Sequence, residues 1–131
     1  MDSLMAFKLP YFPFYVNDFW TDEKVTMMDW DARAMYLKLL CHQWQEGSIP
    51  ANNGGVAVIL QVGKETINRV WPQISPCFVP WATDKTRLVN PRMDAERAKA
   101  LNLAKISQES GRRGGQERVR RAAMRNGEPE L

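Results

Sequence analysis

Apolar residues recur every three to four positions along "MDWDARAMYLKLLCHQWQEG", a spacing that predicts a helix over residues 30–46. Asp29 suits the N-cap, Asp31 adds a negative charge to the first turn, and Gly47 fits just past the C-terminus. Trp30, Ala34, Leu37, Cys41 and Trp44 make one apolar stripe, while Ala32, Met35 and Leu39 lie nearly opposite. A helix apolar on two sides is packed on both or used at an interface. His42 falls between the two stripes, and with no second histidine and no cysteine at ligand spacing no metal site is expected.

"SIPANNGGVAVILQVGKETINRVW" reads as two short helices broken at Gly63, from about Asn52 to Gln61 and from Lys64 to Trp71, where Pro72 should end the second. Val56, Ile59 and Leu60 of the first and Ile67, Val70, Trp71 and Ile74 of the second are expected inward. That is the outline of a helix-turn-helix, with Lys64, Glu65, Asn68 and Arg69 facing out. "PCFVPWATDKTRLVN" predicts a hairpin turning at Thr83–Thr86, with Lys85 and Arg87 on the turn and returning strand. Asn90 then caps a helix that opens with Pro91 and is expected to fray before Gly111, because "SGRRGG" holds three glycines. The fold class is thus mostly α with a small β-hairpin (α+β). The element order is that of a winged-helix-like domain over residues 1–106, with Val25-Thr26-Met27 as third strand and residues 107–131 as an arginine-rich, flexible tail.

"LPYFPFYVNDFW", residues 9–20, holds six of the chain's thirteen aromatic residues and one charge, Asp18. Platforms that stack nucleic-acid bases interleave aromatics with Arg and Lys, and here only Lys8 is near. Core wall is the favoured use. Pro10 and Pro13 extend the backbone, so that Phe12 and Phe14 turn toward the long helix while Tyr11 and Tyr15 face outward. Asn17 and Asp18 should cap a short helical turn through Trp20.

Charge changes the picture at the far end. Residues 1–91 carry eight Lys/Arg and nine Asp/Glu, residues 92–131 ten and six, and the stretch from Gly111 to Arg125 has six arginines against Glu117 alone. A basic end on a near-neutral body suggests contact with phosphates, against the plainer role of a solvated tail. Cys41 and Cys77 sit in apolar runs and are expected as reduced, buried thiols. No apolar run approaches the ~20 residues of a spanning helix, and the start lacks a signal-peptide pattern, so a cytoplasmic location is expected. Signatures of an enzyme are missing. "SGRRGG" lacks the Lys-Ser/Thr of a phosphate loop, and no nucleophile has a partnering histidine. Asp18, Asp22, Glu23, Asp29 and Asp31 are assigned to caps and turns rather than to a metal-dependent nuclease. No cofactor is expected.

Together "LPYFPFYVNDFW", "DARAMYLKLLCHQWQEGSIP" and "SQESGRRGGQERVRR" resemble the YdaU-type family of phage and prophage proteins. Pro10 to Tyr15, Asp18, Tyr36 to Leu40, Trp44, Gly47 and Ser107 to Gly115 carry the likeness, which runs from residue 9 to about 118. The resemblance implies a replication-associated, winged-helix DNA-binding protein and supplies no catalytic residues. This chain departs from the pattern in Pro72 and in ending soon after the arginines.

The leading expectation is therefore a non-enzymatic, phage-type DNA-binding protein tied to replication initiation. Lys64, Asn68 and Arg69 would approach the major groove, and Lys85 and Arg87 the phosphates. Arg112, Arg113, Arg118, Arg120 and Arg121 would form a flexible arm. The rival is a protein-interaction module using Tyr11, Tyr15, Met35 and Leu39 to bind a host or phage protein or a second copy of the chain.

Overall fold

The computed structural model describes residues 9–125, which fall into two units: a body, residues 9–98, and an arm, from residue 99 onward. Helix α3 (Trp30–Glu46) starts after Asp29 and stops at Gly47 as expected, but the Asp29 side chain makes no cap bond. Asp29 holds an extended N-cap conformation and Gly47 a left-handed one, φ +96°, which a side chain would resist. The buried face is mostly that of the second stripe. Ala32, Tyr36, Leu39, Leu40, Gln43 and Trp44 are buried, whereas Trp30, Ala34 and Cys41 are exposed and Leu37 half-buried. Periodicity offered two stripes, and Tyr36 and Leu40 widen the second into the larger apolar surface. Cys41 is thus an exposed free thiol, correcting its expected burial, while Cys77 is buried and also free.

Before α3 come two short helices, α1 (Val16–Thr21) and α2 (Glu23–Thr26). The second overturns the strand expected at Val25-Thr26-Met27. Asp22 accepts from the Lys24 amide at 2.8 Å and its carbonyl from Thr26 Oγ1 at 3.0 Å, while Val25 and Met28 are buried three residues apart. A cap and helical burial outweigh β-branched propensity here. The third strand is instead β1 (Ile49–Pro50), directly after α3. It pairs antiparallel with β3 (Arg87–Val89), which also pairs with β2 (Val79–Pro80), giving the order β1-β3-β2.

Between β1 and β2 lie α4 (Asn53–Leu60) and α5 (Lys64–Ile74). Asn52 caps α4 through the Gly55 amide at 2.7 Å. Val56, Leu60, Ile67, Val70 and Ile74 are buried and Ile59 and Trp71 half-buried, close to the expected inward set. Helix α5 runs three residues past its expected end, through Pro72. The proline removes one backbone donor, yet the turn beyond it is held by fully buried Ile74 and by the Ser75 amide donating to the Trp71 carbonyl. The Gln73 side chain adds bonds to the Arg69 carbonyl and to Asp29. The result is mostly α with a small three-stranded antiparallel sheet.

Of the opening aromatics, Phe12 and Phe19 are half-buried against the core, while Tyr11, Phe14, Tyr15 and Trp20 are exposed. Rings follow one another from Trp44 to Phe12 (5.7 Å), Phe14 (6.5 Å), Phe19 (5.1 Å), Tyr36 (5.9 Å, stacked) and Phe78 (6.0 Å). Trp44 Nε1 donates to the Leu9 carbonyl at 2.9 Å and pins the start of the segment. Tyr11 faces out, but Phe14 is 39% exposed rather than buried. Asp18 is in the first turn of α1, with Tyr15 at the N-cap and no side-chain cap bond.

The last helix, α6 (Pro91–Arg125), opens at Pro91 as expected, with Asn90 Oδ1 accepting from the Met93 amide at 3.0 Å. It does not fray before Gly111 but continues through Gly111, Gly114 and Gly115. Each glycine costs about 1 kcal/mol against alanine. Glu–Arg pairs one turn apart on either side work in the opposite direction.

Candidate nucleic-acid interface

On the helix-turn-helix side, Lys64 starts α5 and is exposed, as is Asn68 one turn on. Arg69 is otherwise employed. Its guanidinium joins Asp29 at 3.0 Å and also grips Asp31, with Nη1 3.2 Å from Oδ1, clamping α5 to the start of α3. The Arg69 hydrogen bond holds the Asp31 carboxyl below its usual range, and the same bond raises Arg69. Around α5 the charges are therefore Lys64 and Arg69 against Glu65, Asp29 and Asp31, a face that does not attract phosphate.

The hairpin tells a similar story. Lys85 is exposed at the turn, beside Asp84, whose carboxylate accepts from the Thr86 amide and hydroxyl at 2.9 and 2.6 Å and is lowered by them. Arg87 turns away from the tip: its Nε donates to Ser48 Oγ at 2.9 Å and its Nη2 to the Ser48 carbonyl at 3.2 Å, across the β1–β3 pair. It is a brace rather than the expected phosphate contact.

The expected protein-binding face also changes. Leu39 is fully buried and Met35 half-buried, so Leu39 belongs to the core. Tyr15 is partly exposed, but its hydroxyl donates to Glu96 at 3.2 Å and Arg92 lies 4.3 Å over its ring. Arg92 also pairs with Asp18 at 2.7 Å, the first cause of its raised pKa. Trp20 (46%) and Trp30 (72%) are also exposed, their indoles 6.1 Å apart, with Arg33 4.1 Å over the Trp30 ring, and Met27 is exposed at 77%.

A cleft of about 130 Å³ lies beside the aromatic chain, between Phe14, Phe19, Tyr36, Arg92 and Met93. Its polar groups already have partners: Arg92 and Tyr15 as above, and Asn90 Nδ2 on Tyr36 Oη at 3.1 Å and on the Cys77 carbonyl at 2.9 Å. Burial pushes the Tyr36 hydroxyl well above its usual value and lowers His42. Among the described residues no group of three or more His, Cys, Asp or Glu is placed to hold a metal ion. None of their helices is long and apolar enough to cross a membrane.

The arm carries the other expected phosphate contacts, Arg112, Arg113, Arg118, Arg120 and Arg121, on one helix. Glu109 accepts from Arg112 Nε and Arg113 Nε, each at 3.2 Å, and Glu117 from Arg120 Nε and Arg121 Nε, each at 3.1 Å. Both carboxyls are held below their usual range, Glu109 chiefly by its bond to Arg112 and Glu117 by that to Arg120. Arg118 reaches back toward the Gly114 and Gly115 backbone. Arg118 and Arg125 make no ion pair among the described residues. The two glutamates were legible as partners in the sequence, being three and four positions before each arginine pair. No family model, curated protein or solved structure matches this chain.

Proposed function

We propose that this chain is a non-enzymatic DNA-binding protein whose phosphate contacts lie on the arginine-bearing half of α6. One observation carries this: six arginines between residues 112 and 125 face two carboxylates on an exposed helix, while Arg69 and Arg87 of the body are spent on internal partners. Helix, strand, two helices and hairpin in that order, with the first strand laid against the hairpin, support a winged-helix body. The resemblance to phage replication-associated proteins supports a setting in replication initiation. Fluorescence anisotropy on a DNA duplex at two salt concentrations tests this, comparing wild type with a chain in which Arg112, Arg113, Arg118, Arg120 and Arg121 are glutamine. Wild-type affinity should fall steeply with salt, with a log–log slope of about −0.9 per phosphate contacted, and the variant should lose most of both. Equal binding by the two chains would reject the arm as the interface.

A second role, binding a protein partner, is favoured by the exposed Trp20, Met27 and Trp30. Trp30→Ala should abolish capture of such a partner while leaving DNA affinity unchanged.

A further inference from the structure

The arginines of the arm come in a repeated unit. Glu109-x-x-Arg112-Arg113 recurs eight residues later as Glu117-x-x-Arg120-Arg121, and in each unit a single carboxylate accepts from both guanidinium groups. Every partner in these pairs is substantially solvent-exposed, Arg113 and Arg121 most of all, at 75% and 72%. Ion pairs in such surroundings are weak and readily exchanged. A backbone phosphate offers the same forked oxygens as a carboxylate and is bound by guanidinium in the same bidentate way. Eight residues of α-helix advance about 12 Å, comparable with the roughly 12 Å width of the major groove of B-form DNA, which admits a helix.

We propose that Glu109 and Glu117 are internal stand-ins for phosphate: each holds its arginine pair ready on the helix, and each is displaced when phosphates on the two sides of the major groove take the pairs. The proposal rests on the DNA-binding role above and adds the binding units, their register and their resident counter-ion. With its glutamate a unit carries one net positive charge, and without it two. The carboxylates therefore temper affinity as well as ordering the arginines.

The test is the full chain carrying Glu109→Gln and Glu117→Gln, a change that keeps side-chain size and helix propensity. Duplex DNA should bind about five- to tenfold more tightly than to wild type at low salt, since two competing carboxylates are gone. The log–log salt slope should steepen by up to about 2. Circular dichroism checks that the helix persists, and a single strand of equal length, which has no groove to span, should bind less tightly than the duplex. Unchanged or weaker duplex binding with helicity intact would overturn the displacement of the glutamates. Equal binding of duplex and single strand would overturn the groove-spanning register. If helicity drops, a second variant, Glu109→Ala and Glu117→Ala, decides: affinity per unit of helix must still rise, or the glutamates are only helix supports. Failure of wild type to bind any duplex would bring down the DNA-binding role and this proposal together. Wild-type binding that needs the arginines but ignores the glutamates would remove this proposal alone.

Discussion

Glycine and arginine are used in opposite ways by the body and the arm. In the body, Gly47 ends α3 with φ +96°, and a Cβ on Gly55 would sit 2.6 Å from Pro50 Cβ. In the arm, a Cβ on Gly111 would meet nothing within 4 Å, and on Gly114 or Gly115 only the tip of Arg118. Body arginines reach across the fold: Arg33 to the Met28 and Thr26 carbonyls, Arg87 to Ser48, Arg97 to the Trp44 carbonyl at 2.7 Å. In the arm, Arg112, Arg113, Arg120 and Arg121 pair with carboxylates one turn away on their own helix. A residue bound to a distant element is committed to the fold, whereas one bound to its neighbour stays available for exchange.

Substitutions should separate the two regions sharply. Leu39→Ala, in the fully buried face of α3, should cost about 2–5 kcal/mol in chemical denaturation, whereas Leu103→Ala, exposed on α6, should lie within about 0.5 kcal/mol of wild type. A neutral Leu39→Ala would return that residue to a surface role. Gly55→Ala should cost about 1–3 kcal/mol, since the rigid Pro50 ring must move. Gly111→Ala should do the reverse, favouring helix by about 0.5–1 kcal/mol and raising the far-ultraviolet helical signal. A loss of helicity there would mean that the arm glycines have a packing role after all.

Acid gives the smallest effect. Glu109 and Glu117 titrate below their ordinary value of 4.5 in the folded chain. Their contribution to the helix is therefore present above that pH and fades as pH falls through the lower folded values. Helicity followed from pH 6 to pH 3 should drop more in wild type than in the Glu109→Gln, Glu117→Gln chain. Asp31 fades in the same direction in both and cancels in the difference. Identical acid profiles would show that the pairs do not support the arm.

Much of the framework was legible in short-range features. Gly47 ends α3, Asn52 and Asn90 cap α4 and α6, and Pro91 opens the last helix, because caps and special backbone angles act over three or four residues. What failed to read through involves partners far away in sequence. Gln43, fully buried, bonds the Asn90 amide at 2.8 Å and carbonyl at 3.1 Å, and nothing in its neighbourhood announces this. The same holds for Arg69: exposed spacing on α5 suggested a DNA contact, but Asp29 and Asp31, some forty positions earlier, take it.

By itself, the sequence determined the order and type of most elements and the basic end, since each depends on local pattern or simple charge count. Only the tertiary structure decided which apolar side of α3 is buried, which strand completes the sheet and which arginines are spent. Those outcomes depend on the larger apolar surface and the nearer carboxylate, and both are set by where distant segments meet.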